Sequence, residues 1–439
     1  MAINIEINDK FKEALNAVET GKNIFITGKA GTGKSTLLRI IRDNLKENYV
    51  VLAPTGVAAV NIGGQTIHSF FGFRPDITIE KVLKKKHPKN PDVYENLEIM
   101  IIDEISMVRA DLLDCVNTFL TLHGPEKGRP FGGVQLVFIG DLYQLPPIVT
   151  YKEKEIFSEM YVSPYFFDSK GFSETEFKII ELTKIYRQTE QEFIDILNSV
   201  RNRTINDELL YSLNKNVDYT FDPDPKEGYI ELVTINAKAD EINSKRIKLL
   251  KGKMYSYEGN ISGEFDNRSY PAPHVLDLKI GAQVMLTSND PMGRWFNGSV
   301  GVIDRIDDTD SIHSVYVRLE NDKVIDVSPT KWEMYKFSFD RLSQKITTEI
   351  AGSFTQYPLM LSWAVTIHKS QGKTFNKVIV DMGAGAFAHG QTYVALSRCT
   401  TLSGLVLRVP IEKRHVILDQ RVVNFLTNFK FRVEYYSWG

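Results

Sequence analysis

Residues 28–35 read Gly28-Lys-Ala-Gly-Thr-Gly33-Lys34-Ser35, directly after a short apolar run and directly before an amphipathic stretch of helical length. A glycine-rich turn between a strand and a helix can wrap phosphates: Gly28, Gly31 and Gly33 let the backbone at Ala30 and Thr32 curl, so that N–H groups point inward. The helix beginning near Lys34 adds the positive end of its dipole. The Lys34 ammonium then reaches the terminal phosphates, the Ser35 hydroxyl can ligate magnesium, and Thr36 completes the nucleotide-binding set. A turn without function would not need the whole eight-residue pattern in this strand-to-helix setting.

Hydrolysis needs carboxylates as well, and Ile99-Met-Ile-Ile-Asp103-Glu104 delivers two at the end of an apolar run. Open α/β sheets hold ligands at the carboxyl ends of their strands. There Asp103 would hold the magnesium, and Glu104 would orient and deprotonate the attacking water. A third segment, Gly140-Asp-Leu-Tyr-Gln144-Leu-Pro-Pro147, ends another apolar run. The Gln144 amide can hydrogen-bond phosphate oxygens or the water; the segment also reads as a plain proline-terminated turn.

Such groups must be carried by buried parallel strands. Short apolar runs at Asn23 to Thr27, Tyr49 to Ala53, Ile99 to Ile102 and Leu136 to Ile139 alternate with helical stretches, the βα pattern of a parallel sheet covered by helices. The pattern returns at Tyr229 to Thr234 and Lys377 to Asp381. Between about Lys251 and Gln356 the texture changes to short alternating segments with close-spaced Gly, Asn, Asp and Pro, such as Val324 to Val327 and Gly298 to Ile303, which predicts a small β-rich insertion. The expected fold is therefore α/β with two parallel-sheet domains. The first covers residues 1–180, the second 181–250 and 357–439, and the insertion 251–356.

Composition limits the function classes. At 439 residues, 43% hydrophobic and 25% charged, the chain predicts a soluble multidomain globule. No apolar run reaches the length of a membrane span, and Met1 to Lys10 lack the pattern of a secretory signal, so a cytoplasmic, nucleoid-associated location is expected. Cys115 and Cys399 form no CxxC pair, and both are expected to be inert. With 53 basic and 55 acidic residues the net charge is −2, so any nucleic-acid groove must be local. The run Lys84, Lys85, Lys86 and Lys89 near His87 could touch phosphates, although such runs are usually solvated surface. His68, Phe70, Phe71 and Phe73 form an aromatic cluster in a glycine-bounded segment. Its rings suit base stacking, which contributes about 1–3 kcal/mol per base in single-strand binders; Phe73 reads equally well as core.

With further segments these residues resemble, in order and spacing over nearly the whole chain, the PIF family of superfamily 1, 5′-to-3′ DNA helicases of the RecD-like class. The additional matches are Ala53-Pro-Thr55-Gly56-Val-Ala-Ala, Gly64-Gln-Thr-Ile-His68-Ser-Phe70-Phe71, Leu182-Thr-Lys-Ile-Tyr186-Arg187-Gln188, Trp363-Ala-Val-Thr366-Ile-His368-Lys369-Ser-Gln371-Gly372 and Tyr393-Val-Ala-Leu-Ser397-Arg398. The resemblance implies two RecA-like motor domains with ATP and Mg2+ between them, and an SH3-like character for the insertion. It makes Arg187 and Arg398 arginine fingers that reach the terminal phosphate when the domains close, and puts Gln371 at the ATP-facing end of its motif. Thr55, Gly56, Thr366, His368 and Lys369 would contact single-stranded DNA. The implied partners are single-stranded DNA, DNA junctions and structured DNA, with the protein acting as a monomer. The alternatives are a translocase that does not separate strands, or a helicase subunit of a larger repair complex. One departure stands out: no glutamine precedes Gln65, so the adenine-reading glutamine of relatives is missing. Asn8 is the available substitute, and relaxed base discrimination is expected.

Overall fold

The structure, a computed structural model, describes residues 7–45, 48–84, 88–149, 151–224, 227–307, 314–383 and 385–436. Lys85, Lys86 and His87 of the basic run lie outside the described residues.

The first half of the chain forms a parallel six-stranded sheet. Its strands are β1 (Ile24–Gly28), β2 (Tyr49–Ala53), β3 (Gln65–Thr66), β4 (Ile99–Ile102), β5 (Gln135–Ile139) and β6 (Lys178–Leu182), in the order β3-β2-β4-β5-β1-β6. Side chains alternate between the two faces of a strand. Ile24, Ile26, Val51, Ile101 and Val137 therefore pack with Phe11, Leu37, Leu38 and Ile41 on one face. Phe25, Val50, Leu52, Met100 and Phe138 join Phe119 and Phe166 on the other. Burial on both faces explains why the strands read as unbroken apolar runs.

A second parallel sheet begins with β7 (Ile230–Val233) and resumes only far along the chain. In between lie β8 (Tyr255–Glu258), β9 (Asn260–Gly263), β10 (Val275–Leu278), β11 (Gln283–Leu286), β12 (Val300–Asp307), β13 (Ser314–Leu319), β14 (Val324–Val327), β15 (Thr330–Asp340), β16 (Lys345–Gln356) and β17 (Leu359–Leu361). β18 (Ala364–Thr366), β19 (Val378–Asp381) and β20 (Leu405–Leu407) then complete the second sheet in the order β18-β7-β19-β20. The intervening antiparallel sheet β14-β13-β12-β11-β17 encloses its own core around Val284, Val315, Val317 and Trp363.

The long hairpin β15–β16 belongs to the insertion in sequence, yet it docks on the first domain. Phe337 enters the core beside Phe70, with ring centres 5.8 Å apart. Phe337 N–H donates to Gln65 Oε1 (3.3 Å), Ile346 N–H to Asn48 Oδ1 (3.0 Å), and Arg341 pairs with Asp92 (2.6 Å). Among the described residues no helix is long and apolar enough to cross a membrane. Cys115 and Cys399 are unpaired and buried, and burial pushes the Cys399 thiol up to about 11.

Candidate nucleotide cleft and nucleic-acid contacts

β1 ends at Gly28, and the helix Lys34–Asn44 begins without a side-chain cap on its N-terminus. Uncapped N–H groups at a helix start suit an anion. Gly31 has φ +78°, and an added Cβ would meet Arg187 Cβ at 2.5 Å, so only glycine allows the segment after β6 to lie against the loop. Tyr186 N–H donates to Gly31 O (2.8 Å) and seals that contact. Lys34 Nζ donates to the loop's own carbonyls, Gly28 O (2.7 Å) and Lys29 O (3.0 Å). Burial holds the Lys34 ammonium below its ordinary range, so a bound phosphate would relieve a charge already taken out of water.

The cleft holds about 750 Å3. Its lining brings together Ala30 to Thr36, Glu104, Gln144, Arg187 and Arg398, and adds Trp295 to Val300 from the insertion. Gly28 and Asp103 are not part of that lining. β4 delivers Asp103 and Glu104 in succession, and Glu104 has φ +50°, an uncommon conformation for a residue with a side chain. Strain of this kind persists where surrounding structure enforces it, and it turns Glu104 into the cleft. Burial, with Glu104's charge adding to it, pushes the Asp103 carboxyl up to about 7. Burial raises Glu104 too, against the opposing pull of Lys34 and Arg398.

Arg187 is half-buried and Arg398 buried, both without a carboxylate partner among the described residues. Arg187 donates to Ser397 O (3.0 Å); burial and the neighbouring Arg398 pull it down to about 9. Arg398, 1% exposed, donates to Val394 O (3.0 Å), Lys373 O (3.2 Å), Ser370 O (3.4 Å) and Ser397 Oγ (3.0 Å). Unpaired buried cations are costly and mark a place for an anion. Gln371 does not line the cleft, although its Nε2 is buried with no hydrogen-bond partner among the described residues. Asn8 is already committed: Oδ1 accepts from Phe11 N–H (3.0 Å) to cap the helix Asp9–Glu19, and Nδ2 donates to Tyr186 OH (3.2 Å).

The expected DNA set divides. Phe70 and Phe71 are 6% and 0% exposed, and Phe73 is 6% exposed. They pack edge-on or stacked against one another, Tyr94 and Phe119, which leaves no ring face for a base. The stacking assignment of Phe70 and Phe71 is therefore corrected: they are core, on a short helix Ile67–Phe71 whose inner face the sequence presents as a loop. Thr366, 3% exposed, accepts from Lys369 N–H (3.3 Å) through its hydroxyl, so it shapes the turn and offers no surface. Gly56 is covered by the insertion: an added Cβ would lie 1.7 Å from Ser269 Oγ. Thr55 and Lys369 are exposed, and His68 and His368 are partly so, with burial lowering the His368 ring.

Two parallel-sheet domains, with a phosphate loop on one and two arginines facing it from the segment after β6 and from the other domain, define a tandem-domain nucleotide-binding protein of the phosphate-loop class. The chain belongs to the PIF1-like helicase family, which its residues 2–209 match. An ATP-dependent DNA helicase Pif1 from Bdellovibrio bacteriovorus is 31% identical over 97% of this chain and 93% of its own length. The human ATP-dependent DNA helicase PIF1 is 32% identical over 97% of this chain, which spans 64% of that longer protein. Bacteroides Pif1 in complex with ADP-AlF4 superimposes with a TM-score of 0.88 at 36% identity, covering 98% of both chains. At the same identity and coverage, Bacteroides Pif1 bound to ssDNA gives 0.67.

Proposed function

We propose that this protein is an ATP-dependent DNA helicase that moves 5′-to-3′ on single-stranded DNA and unwinds duplex or structured DNA. The observation that carries the reading is the pair of half-buried Arg187 and buried Arg398, neither bonded to a carboxylate among the described residues, beside the phosphate loop. In that setting the triphosphate supplies the missing negative charge. ATP then favours the closed arrangement of the two domains because it contacts arginines that meet it in one arrangement only. Glu104 accepts a proton from the attacking water, Gln144 orients that water, and the two guanidiniums stabilise charge on the transferring phosphoryl group. Hydrolysis removes the link, the domains part, and alternating grip on the strand produces a step.

The donor set suits Mg2+: an exposed Ser35 hydroxyl beside the loop and the Asp103 carboxylate, with no cluster of three or more His, Cys, Asp or Glu among the described residues. Magnesium is usually held by one or two carboxylates together with substrate phosphates. When bound it would neutralise phosphate charge, and it would lower the raised Asp103 pKa. On the nucleic-acid side, Thr55, His68, His368 and Lys369 are the members of the expected set with surface to offer. Bacteroides Pif1 has been solved on ssDNA and at forked dsDNA, which supports a DNA substrate for this chain. We assign it a monomeric working state and relaxed base selectivity, the latter because the Asn8 side chain is held in place as a helix cap and by Tyr186.

Two matched duplexes, one with a 5′ tail and one with a 3′ tail, test the reading with ATP present. Unwinding of the 5′-tailed duplex alone is expected. Unwinding of the 3′-tailed one, or DNA-stimulated ATP turnover with neither unwound, overturns it.

A further inference from the structure

The segment Gly140–Pro147 belongs to the first domain, yet the second domain grips it at three points. His389 Nε2 donates to Leu142 O (2.8 Å) while its Nδ1 accepts from Asp419 N–H (2.9 Å), which fixes the neutral tautomer. Gly390 lies so close that an added Cβ would stand 2.3 Å from Tyr143 O and 2.6 Å from Gln144 O. Arg201, the last residue of the helix Gln191–Arg201 and 6% exposed, holds its guanidinium 3.7 Å from the Tyr143 ring centre and pairs with Asp141 at 3.4 Å.

Asp141 is 1% exposed. Burial alone would raise its pKa; Arg201 and Lys34, with hydrogen bonds from Gln144 and from the Tyr143 N–H, outweigh burial and hold it below the ordinary range. An ionised carboxylate only accepts hydrogen bonds. The contact between Asp141 Oδ2 and the Gln144 amide (3.1 Å) must therefore be made by Nε2. Gln144 Oε1 has no hydrogen-bond partner among the described residues, and the side chain lines the cleft. A carbonyl oxygen left without a donor accepts from a group such as water and repels phosphate oxygens.

We propose that Arg201 is a positioning residue for ATP hydrolysis: through Asp141 it fixes the Gln144 amide so that its carbonyl oxygen meets the attacking water. Arg201 does not line the nucleotide cleft, so it acts without touching ATP. Because it rides on the second domain, the water-orienting amide is held only while the domains are together. Opening the cleft releases it. Arg201 thus makes hydrolysis conditional on closure by a route separate from Arg187 and Arg398. The inference rests on Gln144 orienting the water.

The test is a double-mutant cycle on the full chain, reading single-strand-stimulated ATP turnover for Arg201→Met, Gln144→Ala and the double variant, each checked for folding by thermal melting. Arg201→Met is expected to lower kcat roughly tenfold or more while KM for ATP stays within about twofold. The double variant is expected to match Gln144→Ala alone, because the two changes remove one function. Asp141→Asn breaks the same link with almost no change of shape, and is expected to give the same kcat loss and the same non-additivity if Arg201→Met folds poorly. Multiplying losses in the cycle, or an unchanged kcat in Arg201→Met with Gln144→Ala slow, overturns the Arg201 proposal alone. A normal kcat in Gln144→Ala refutes the water-orienting reading itself.

Discussion

Replacing Gly31 with alanine places a methyl group 2.5 Å from Arg187 Cβ, at a residue whose φ is +78°. Carbon atoms normally meet at about 3.5–4.0 Å, so the Arg187 segment must retreat by about 1–1.5 Å. The left-handed conformation costs a residue with a side chain about 1–2 kcal/mol, and the crowding adds about 1–3 kcal/mol. The retreat carries the guanidinium away from the phosphate position, and a displacement of about 1 Å at a catalytic group can cost about a hundredfold in rate. Thermal melting and single-strand-stimulated ATP turnover measure the two effects separately. Adding Arg187→Gly to Gly31→Ala removes the colliding carbon, so the crowding share of the stability loss should return while turnover stays low for want of the guanidinium. If Gly31→Ala melts and turns over like the unaltered chain, the close packing of Arg187 on the phosphate loop is not needed for catalysis and the reasoning fails.

Glu104→Gln should keep nucleotide affinity and lose turnover by about two orders of magnitude or more, measured by nucleotide titration alongside phosphate release; hydrolysis near the normal rate would exclude Glu104 as the base. Phe71→Ala should destabilise the fold by about 3–5 kcal/mol in denaturant melts, because the ring is fully buried; a stable variant with weakened DNA binding would restore the stacking role. Asp103 holds its proton up to about 7 in the folded chain against an ordinary 3.8. The folded state therefore binds that proton more tightly than the unfolded one, and the protein loses stability as pH rises from about 3.8 until the folded carboxyl also ionises at about 7. In magnesium-free buffer the stabilisation by Asp103→Asn should accordingly grow from about pH 4 to about pH 7 and level off above that; a constant difference in melting temperature across that range would contradict the raised carboxyl.

Regular elements were legible where one local rule decides them. The apolar runs at Tyr49 to Ala53 and Ile99 to Ile102 are strands with those bounds, because burial on both faces demands continuous apolar character. The glycine loop was equally clear, since only glycine satisfies its backbone. The aromatic segment misled because what covers it comes from elsewhere: Phe337, more than 260 residues later, closes over Phe70. No local pattern distinguishes a ring facing solvent from one awaiting such a partner. Arg201 was missed for a similar reason. At the end of an amphipathic helix an arginine reads as a solvated C-terminal charge, and only the packing of two domains brings Asp141 and Tyr143 to it. The missing adenine-reading glutamine was visible as an absence, whereas the use of Asn8 as a helix cap required the geometry.

The division of the second sheet has a consequence for how the chain is made. β7 ends at Val233, and its neighbours β18 and β19 begin at Ala364 and Val378. At about 5–20 residues per second, a ribosome needs on the order of ten seconds to reach them. During that interval Ile230, Leu232 and Val233, all fully buried in the finished molecule, have no strand beside them, and the insertion itself waits for β17 and Trp363 to complete its core. The newborn chain thus carries an unsatisfied apolar strand behind the first domain, the kind of segment that holding chaperones shield, and loss of such shielding would trap the second domain before its sheet could close.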